Sequence, residues 1–222
     1  FLTSLDVSQN TALIYLNCNQ NSVISSLDVS QNTALKTLLC NNNNITSLDL
    51  SQNSALETLQ CRSNQLTSIN LNGADALTYL DCRNNYPFLT SLDVSQNTAL
   101  QYLDVGINQV TSLDVSQNTA LQYLDGSNGN QVTSLDLSQN TALEVLEWAN
   151  GLFAGAGGGL TSINTNGAIA LTTVQLSWNS LTTLDLSQNP AVNWISVVNQ
   201  GFNSSNNQGP FLRIREPSET SK

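Results

Sequence analysis

This 222-residue chain contains no histidine and no methionine, and only 6 of its residues are basic against 16 acidic, a formal net charge of −10. Without histidine there is no Ser-His-Asp triad and no His-ligated metal site. Phosphate-backbone binding needs clustered Lys and Arg, so a net charge of −10 makes nucleic acid and anionic membrane surfaces poor partners. No stretch approaches the roughly 18 consecutive apolar residues of a membrane helix, and the first residues lack the charged and apolar regions of a leader peptide. The chain opens on Phe1-Leu2-Thr3 in the middle of a repeated phrase, which reads as a mature or excised fragment. What remains is ample for a core: 40% of residues are hydrophobic and only 10% charged.

The repeat is the dominant signal. The phrase L-T-S-L-D-V-S-Q-N-T-A, or a close variant, starts at Leu2, Ile24, Ile45, Leu66, Leu89, Val110, Val132, Leu160 and Leu181. A looser phrase, L-x-x-L-x-C-x-x-N, lies between successive copies and starts at Leu13, Leu35, Leu56, Leu77, Leu100, Leu121, Leu143, Leu171 and Val192. Each coil is therefore two similar halves, a regular one and a looser one, and the nine coils are numbered here from the N-terminus. Within a half, apolar residues at positions one, four and six predict a short strand entering a turn. Residues four and six face inward, three and five outward, because strand side chains alternate. Neither half is long enough for a helix. Such units must stack to bury their apolar face, which predicts a right-handed all-β solenoid of about nine coils with parallel strands from both halves, roughly 4.8 Å apart. It spans 1–200, followed by a cap strand or loop at 201–215 and a tail at 216–222.

Three columns run along this rod. Asn10, Asn32, Asn53, Asn97, Asn118, Asn140 and Asn189 occupy the turn of the regular half, where a buried amide bonds neighbouring coils; Ala74 and Ala168 interrupt them. Asp6, Asp28, Asp49, Asp93, Asp114, Asp136 and Asp185 form an outward column broken by Asn70 and Asn164. Carboxylates about 5 Å apart repel by roughly 3 kcal/mol at an effective dielectric of 20. The favoured remedy is bonding to the Ser two residues on, as at Ser8, Ser30 and Ser51; a run of Ca²⁺ ions is the alternative. Cys18, Cys40, Cys61 and Cys82 form one inward column, whose Cβ separations exceed disulfide reach and whose ladder geometry cannot surround a Zn²⁺, so free buried thiols are expected. In that column Gly126 precedes Trp148, which reads as compensating volumes in one core layer.

The looser half holds the variation, and with it the candidate binding face. Its outward positions place Tyr79, Tyr102 and Tyr123 on adjacent coils beside Asp81, Asp104 and Asp125, with Glu147 next. Tyrosine gives large contact area at low entropic cost and is enriched at binding hot spots. The same stacking serves equally to stabilise a sheet face. A Gly-rich insertion, 149–159 with Leu152 and Phe153, and a smaller one at Tyr86-Pro87-Phe88 predict loops at one end of the coil.

The L-x-x-L-x-L-x-x-N pattern over residues 2–200 resembles the leucine-rich repeats. The nested halves, L-x-x-L-x-C-x-x-N then L-x-x-L-D-V-S-x-N, are similar to the short bacterial 21-residue class sometimes called IRREKO repeats, whose phrasing is typical of secreted or surface proteins of Bacteroidetes-like bacteria. That resemblance implies a non-catalytic recognition or adhesion module, secreted or on a cell surface, binding protein or carbohydrate, with no cofactor and no membrane insertion. The bare N-terminal coil leaves end-to-end self-association open. An ice-binding face is an alternative, carried by Thr3, Thr46, Thr67, Thr90, Thr111, Thr133, Thr161 and Thr182. Glycoside hydrolysis by paired carboxylates is the least favoured, because a regular ladder offers no cleft to raise an acid's pKa.

Overall fold

The computed structural model describes residues 2–151, 159–198 and the strand Arg213–Arg215. Leu152, Phe153 and the tail therefore lie outside the described residues. The described chain is all-β, with parallel strands stacked as a solenoid and no helix among the described residues.

Every looser half contributes a three-residue strand, from Tyr15–Asn17 through Tyr79–Asp81, Tyr102–Asp104 and Tyr123–Asp125 to Trp194–Ser196. Together they form one continuous nine-stranded sheet in coil order. The regular half behaves differently. Only five of its nine copies form strands, and these pair two at a time: Ser47–Asp49 with Ser68–Asn70, Ser134–Asp136 with Ser162–Asn164, and Thr183–Asp185 with Arg213–Arg215. Both halves supply strands, but only one side of the rod carries an unbroken ladder.

The core follows the inward positions. In the second coil Leu35, Leu38 and Cys40 are fully buried, as are Leu56, Leu59 and Cys61 in the third. The four cysteines are free and buried, and burial pushes the Cys40, Cys61 and Cys82 thiols far above their ordinary range, so they act as small apolar side chains. Trp148 is fully buried in the same column. A Cβ on Gly126 would overlap its six-membered ring at Cζ3, Cη2 and Cε3. The large residue occupies the space that the small one leaves.

Two asparagine ladders hold the corners. In the regular half each amide Nδ2 reaches back to two carbonyls of the preceding coil, as Asn53 does to Val29 (3.0 Å) and Asn32 (3.0 Å), and Asn118 to Val94 (2.9 Å) and Asn97 (2.8 Å). At about 1 kcal/mol net per bond, such a ladder sets the stacking register. Where Ala74 and Ala168 replace the Asn, the bonds are missing and the backbone closes in: a Cβ on Gly73 or Gly167 would collide with the carbonyl of Ser51 or Ser138 in the coil before. The second ladder runs through the looser half. Asn64, for example, donates to the Cys40 and Cys61 carbonyls at 3.0 Å each and accepts from the Ile45 N–H at 3.0 Å.

The residue just before this second ladder adopts the left-handed conformation in six coils, at Gln20, Asn42, Ser63, Asn84, Ile107 and Trp178, and Asn128, two before Asn130, does the same in a seventh, with φ between 52° and 63°. Polar residues with short side chains tolerate that region; a β-branched Ile does so only under strain.

Candidate functional site

On the sheet, strand register places Tyr79 beside Tyr102 and Tyr102 beside Tyr123. Their rings stack face to face at centroid distances of 4.2 and 4.5 Å, with interplanar angles of 6° and 3°. Thr58 borders this stack on one side and Val145 on the other. The three rings are half-buried, leaving an aromatic platform that a partner can cover. Burial pushes all three phenols above their ordinary range, so they remain neutral donors. Tyr15 and Trp194, both about half exposed, occupy the same column at the two ends of the sheet.

Asp81, Asp104 and Asp125 stand in register two residues further on. They do not form an open acidic stripe: their exposures are 5%, 6% and 2%. The reason lies in their neighbours. Each carboxylate accepts the N–H two residues ahead, from Arg83 (3.2 Å), Gly106 (2.9 Å) and Ser127 (2.7 Å), which folds it toward the turn. The scaffold aspartates make the same bond, from Ser8 to Asp6 through Ser187 to Asp185, at 2.9 to 3.0 Å, yet stay exposed. Ser or Thr precedes each scaffold Asp by two residues, on the same face; Tyr precedes each of these three. The ring and the arginines above exclude water from them.

Arg83 Nη1 lies 3.4 Å from Asp125 Oδ2 and 3.8 Å from Asp104 Oδ2, and Arg62 Nε lies 4.0 Å from Asp81 Oδ2. Two guanidinium groups thus serve three buried carboxylates. Burial, with the like charge of Asp125 beside it, pushes Asp104 up to about 7. Burial also raises Asp81, against the pull of the Arg83 N–H and of the Arg62 charge. Glu147, half-buried, lies in register with Asp125 at the end of the acidic column. The seven residues singled out in the sequence therefore do converge on one patch of coils four to seven, as an aromatic surface over a charge layer.

The scaffold Asp column is answered locally, as the Ser N–H bonds show. Asn70 and Asn164 go further, each donating its amide to the aspartate of the coil before, Asp49 and Asp136, at 2.9 Å. In the threonine column, Thr67 and Thr161 turn their hydroxyls back onto the Thr46 and Thr133 carbonyls, at 3.1 and 3.0 Å.

No family model matches the chain, and no curated protein matches it. Solved structures do. The functional domain of InlJ from Listeria monocytogenes, described as including a cysteine ladder, is 41% identical over 86% of this chain, with a TM-score of 0.77. Bacterial leucine-rich-repeat proteins are prominent among the structural neighbours. An internalin, InlF, of L. monocytogenes strain 4b F2365 (23% identity, TM-score 0.62) and a leucine-rich-repeat protein of Leptospira interrogans (21%, 0.61) share the fold over 88% and 86% of this chain. The chain spans 40% of the InlJ domain, 65% of InlF and 56% of the Leptospira protein. Like the InlJ domain, it carries a column of cysteines, here Cys18, Cys40, Cys61 and Cys82.

Proposed function

We propose that this chain is a non-catalytic recognition module that binds a partner protein through its continuous sheet, centred on Tyr79, Tyr102 and Tyr123. The observation that carries this reading is the stack of three half-exposed, mutually aligned rings on a rigid sheet. Such a surface is pre-organised, so association forfeits little side-chain freedom, and the phenol oxygens offer directional bonds at its edge. Beneath the rings lie Asp81, Asp104 and Asp125, with Glu147 beside them, against only Arg62 and Arg83. A partner presenting Arg or Lys at its rim gains from that imbalance. InlF and the Leptospira protein support the solenoid alone, while the likeness to InlJ supports a recognition role.

The nested 21-residue phrasing supports the short bacterial repeat class, and with it a secreted or cell-surface place and a role in adhesion. Self-association of two copies, the other partner class that the sequence suggests, belongs to the same proposal.

The test uses the triple variant Tyr79→Ala, Tyr102→Ala, Tyr123→Ala. Cell-surface proteins captured by the wild-type chain are purified singly and titrated against both forms. A true partner loses affinity by at least about thirtyfold, the equivalent of one hot spot, while the melting temperature changes little. Undiminished binding by the triple variant overturns the assignment of this face.

A further inference from the structure

We propose a second binding site, for a neutral saccharide, in the pocket at the corner of coils two to four where Tyr86 and Phe88 project. This site is independent of the sheet face. It lies at the turn that leaves the looser half, and its walls include Asn44, Ser63, Gln65, Asn84, Tyr86 and Phe88. It is a shallow depression, largely open to solvent, with a volume of about 370 Å³, suited to one or two sugar rings laid against its walls.

The two aromatics are additions to the scaffold. The repeat interval from Leu66 to Leu89 is two residues longer than the 21 of its neighbours, and the surplus falls at Tyr86-Pro87-Phe88. Neighbouring coils close the same turn without these side chains, which stand 41% and 40% exposed beside a pocket of amides. They are also held in place. The Phe88 and Leu89 N–H groups both donate to the Asn85 carbonyl, at 2.8 and 3.1 Å, and Asn85 is a fully buried member of the second asparagine ladder. The Tyr86 ring reaches across to coil six, where a Cβ on Gly129 would stand 3.5 Å from its Cδ2. The projecting loop is thus anchored on the most rigid part of the corner.

The polar wall is equally ordered. Gln65 donates to Asn44 Oδ1 at 3.2 Å and Asn84 to Ser63 Oγ at 3.1 Å, each across one coil. Each of these amides has two N–H donors and an acceptor oxygen, so one inter-coil bond leaves a donor and an acceptor for a ligand.

No charged side chain lines the pocket. An anionic ligand would find no cation there, and a wholly apolar one would strand the amides. A pyranose fits both walls: its C–H face packs on an aromatic ring and its hydroxyls both donate to and accept from amides.

The test is a glycan array carrying neutral gluco-, manno- and galacto-oligosaccharides and N-acetylglucosamine oligomers beside sialylated, sulfated and uronic-acid glycans. Calorimetry with the bound sugars follows, on the wild type, Tyr86→Ala, Phe88→Ala and the sheet-face Tyr triple variant. At least one neutral oligosaccharide binds the wild type. Tyr86→Ala and Phe88→Ala each weaken it about tenfold or more, at unchanged melting temperature, and the sheet-face variant binds as the wild type does. The proposal is overturned if no neutral glycan binds, if only acidic glycans bind, or if binding is lost in the sheet-face variant and retained in the two pocket variants. Because the sheet-face variant reports on protein recognition separately, either proposal can fail without the other.

Discussion

The indole ring of Trp148 fills the space into which a side chain on Gly126 would grow. Adjacent coils thereby share one core volume between the largest and the smallest residue. Gly126→Ala should cost about 1–3 kcal/mol by overpacking. In the double variant with Trp148→Leu, which restores the size seen at Leu176 in the same column, the alanine should be tolerated. Urea denaturation of the four-member cycle measures the coupling, expected above about 1 kcal/mol. Strict additivity of the two substitutions would show that the volumes are not exchanged.

The asparagine ladder contains a flaw and its own repair. Oδ1 of Asn32, Asn53, Asn97, Asn118 and Asn140 is buried without a hydrogen-bond partner among the described residues. Asn189 escapes this because Thr165, in the inward position where other coils have Val or Leu, shares its hydroxyl proton between Asn189 Oδ1 at 3.0 Å and the Asp185 carbonyl at 2.8 Å. Val115 stands to Asn140 as Thr165 stands to Asn189: each amide donates to the carbonyl of the inward residue at 2.9 Å. A buried unpaired hydroxyl ordinarily costs about 1–3 kcal/mol. Val115→Thr should instead leave stability within about 0.5 kcal/mol of the wild type or raise it, since the hydroxyl meets a waiting acceptor. A loss of 2 kcal/mol on denaturation would exclude that geometry.

Two carboxylate populations pull stability in opposite directions with pH. Asp104 is held up to about 7 in the folded chain by burial and by the Asp125 charge, against roughly 4 when unfolded. Between those values the folded state binds more protons, so stability falls as pH rises through that window. Asp6, Asp28, Asp49, Asp93 and Asp114 are held below their ordinary range by the Ser N–H two residues on. Their contribution is present above about pH 4 and is lost as pH falls through the lowered values. The melting temperature should therefore peak between about pH 4 and 5 and decline toward pH 8. Asp104→Asn keeps an oxygen for the Gly106 N–H and should flatten the decline; a slope unchanged in that variant would assign it elsewhere.

Ile107 is the one β-branched residue in the left-handed column, at φ 52°. Its neighbours along that column are Asn84 and Asn128. Ile107→Asn should raise stability by about 1 kcal/mol, or some 2–4 °C in melting temperature for a chain of this size. A drop would mean that the half-buried Ile side chain contributes more by packing than its backbone loses by strain.

The inward columns were legible because a period of two leaves little choice about which face is buried. Trp148 could be placed in the core from its position six, and spacing favoured the Asp–Ser bonds over a run of Ca²⁺ ions. The burial of Asp81, Asp104 and Asp125 was not legible in the same way. It depends on a tyrosine two residues earlier, which is local, but also on Arg83 reaching Asp125 across 42 residues of sequence. The second asparagine ladder was visible in the looser phrase as its ninth position, and only the structure revealed how completely its amides are used. The pocket beneath Tyr86 and Phe88 needed three coils side by side before its polar wall existed at all.

Ala74 and Ala168 mark two joints in the rod, where a block of three coils meets a block of four and that block meets a last one of two. At each joint the buried corner amide is missing, and the tie has moved to the outside of the same half. Asn70 and Asn164 clasp Asp49 and Asp136 of the coil before at 2.9 Å, and regular-half strands pair across both joints. Tyr79, Tyr102, Tyr123 and Glu147 all fall within the block of four. Their section of the rod is thus bolted from within and strapped to its neighbours by bonds that water can reach.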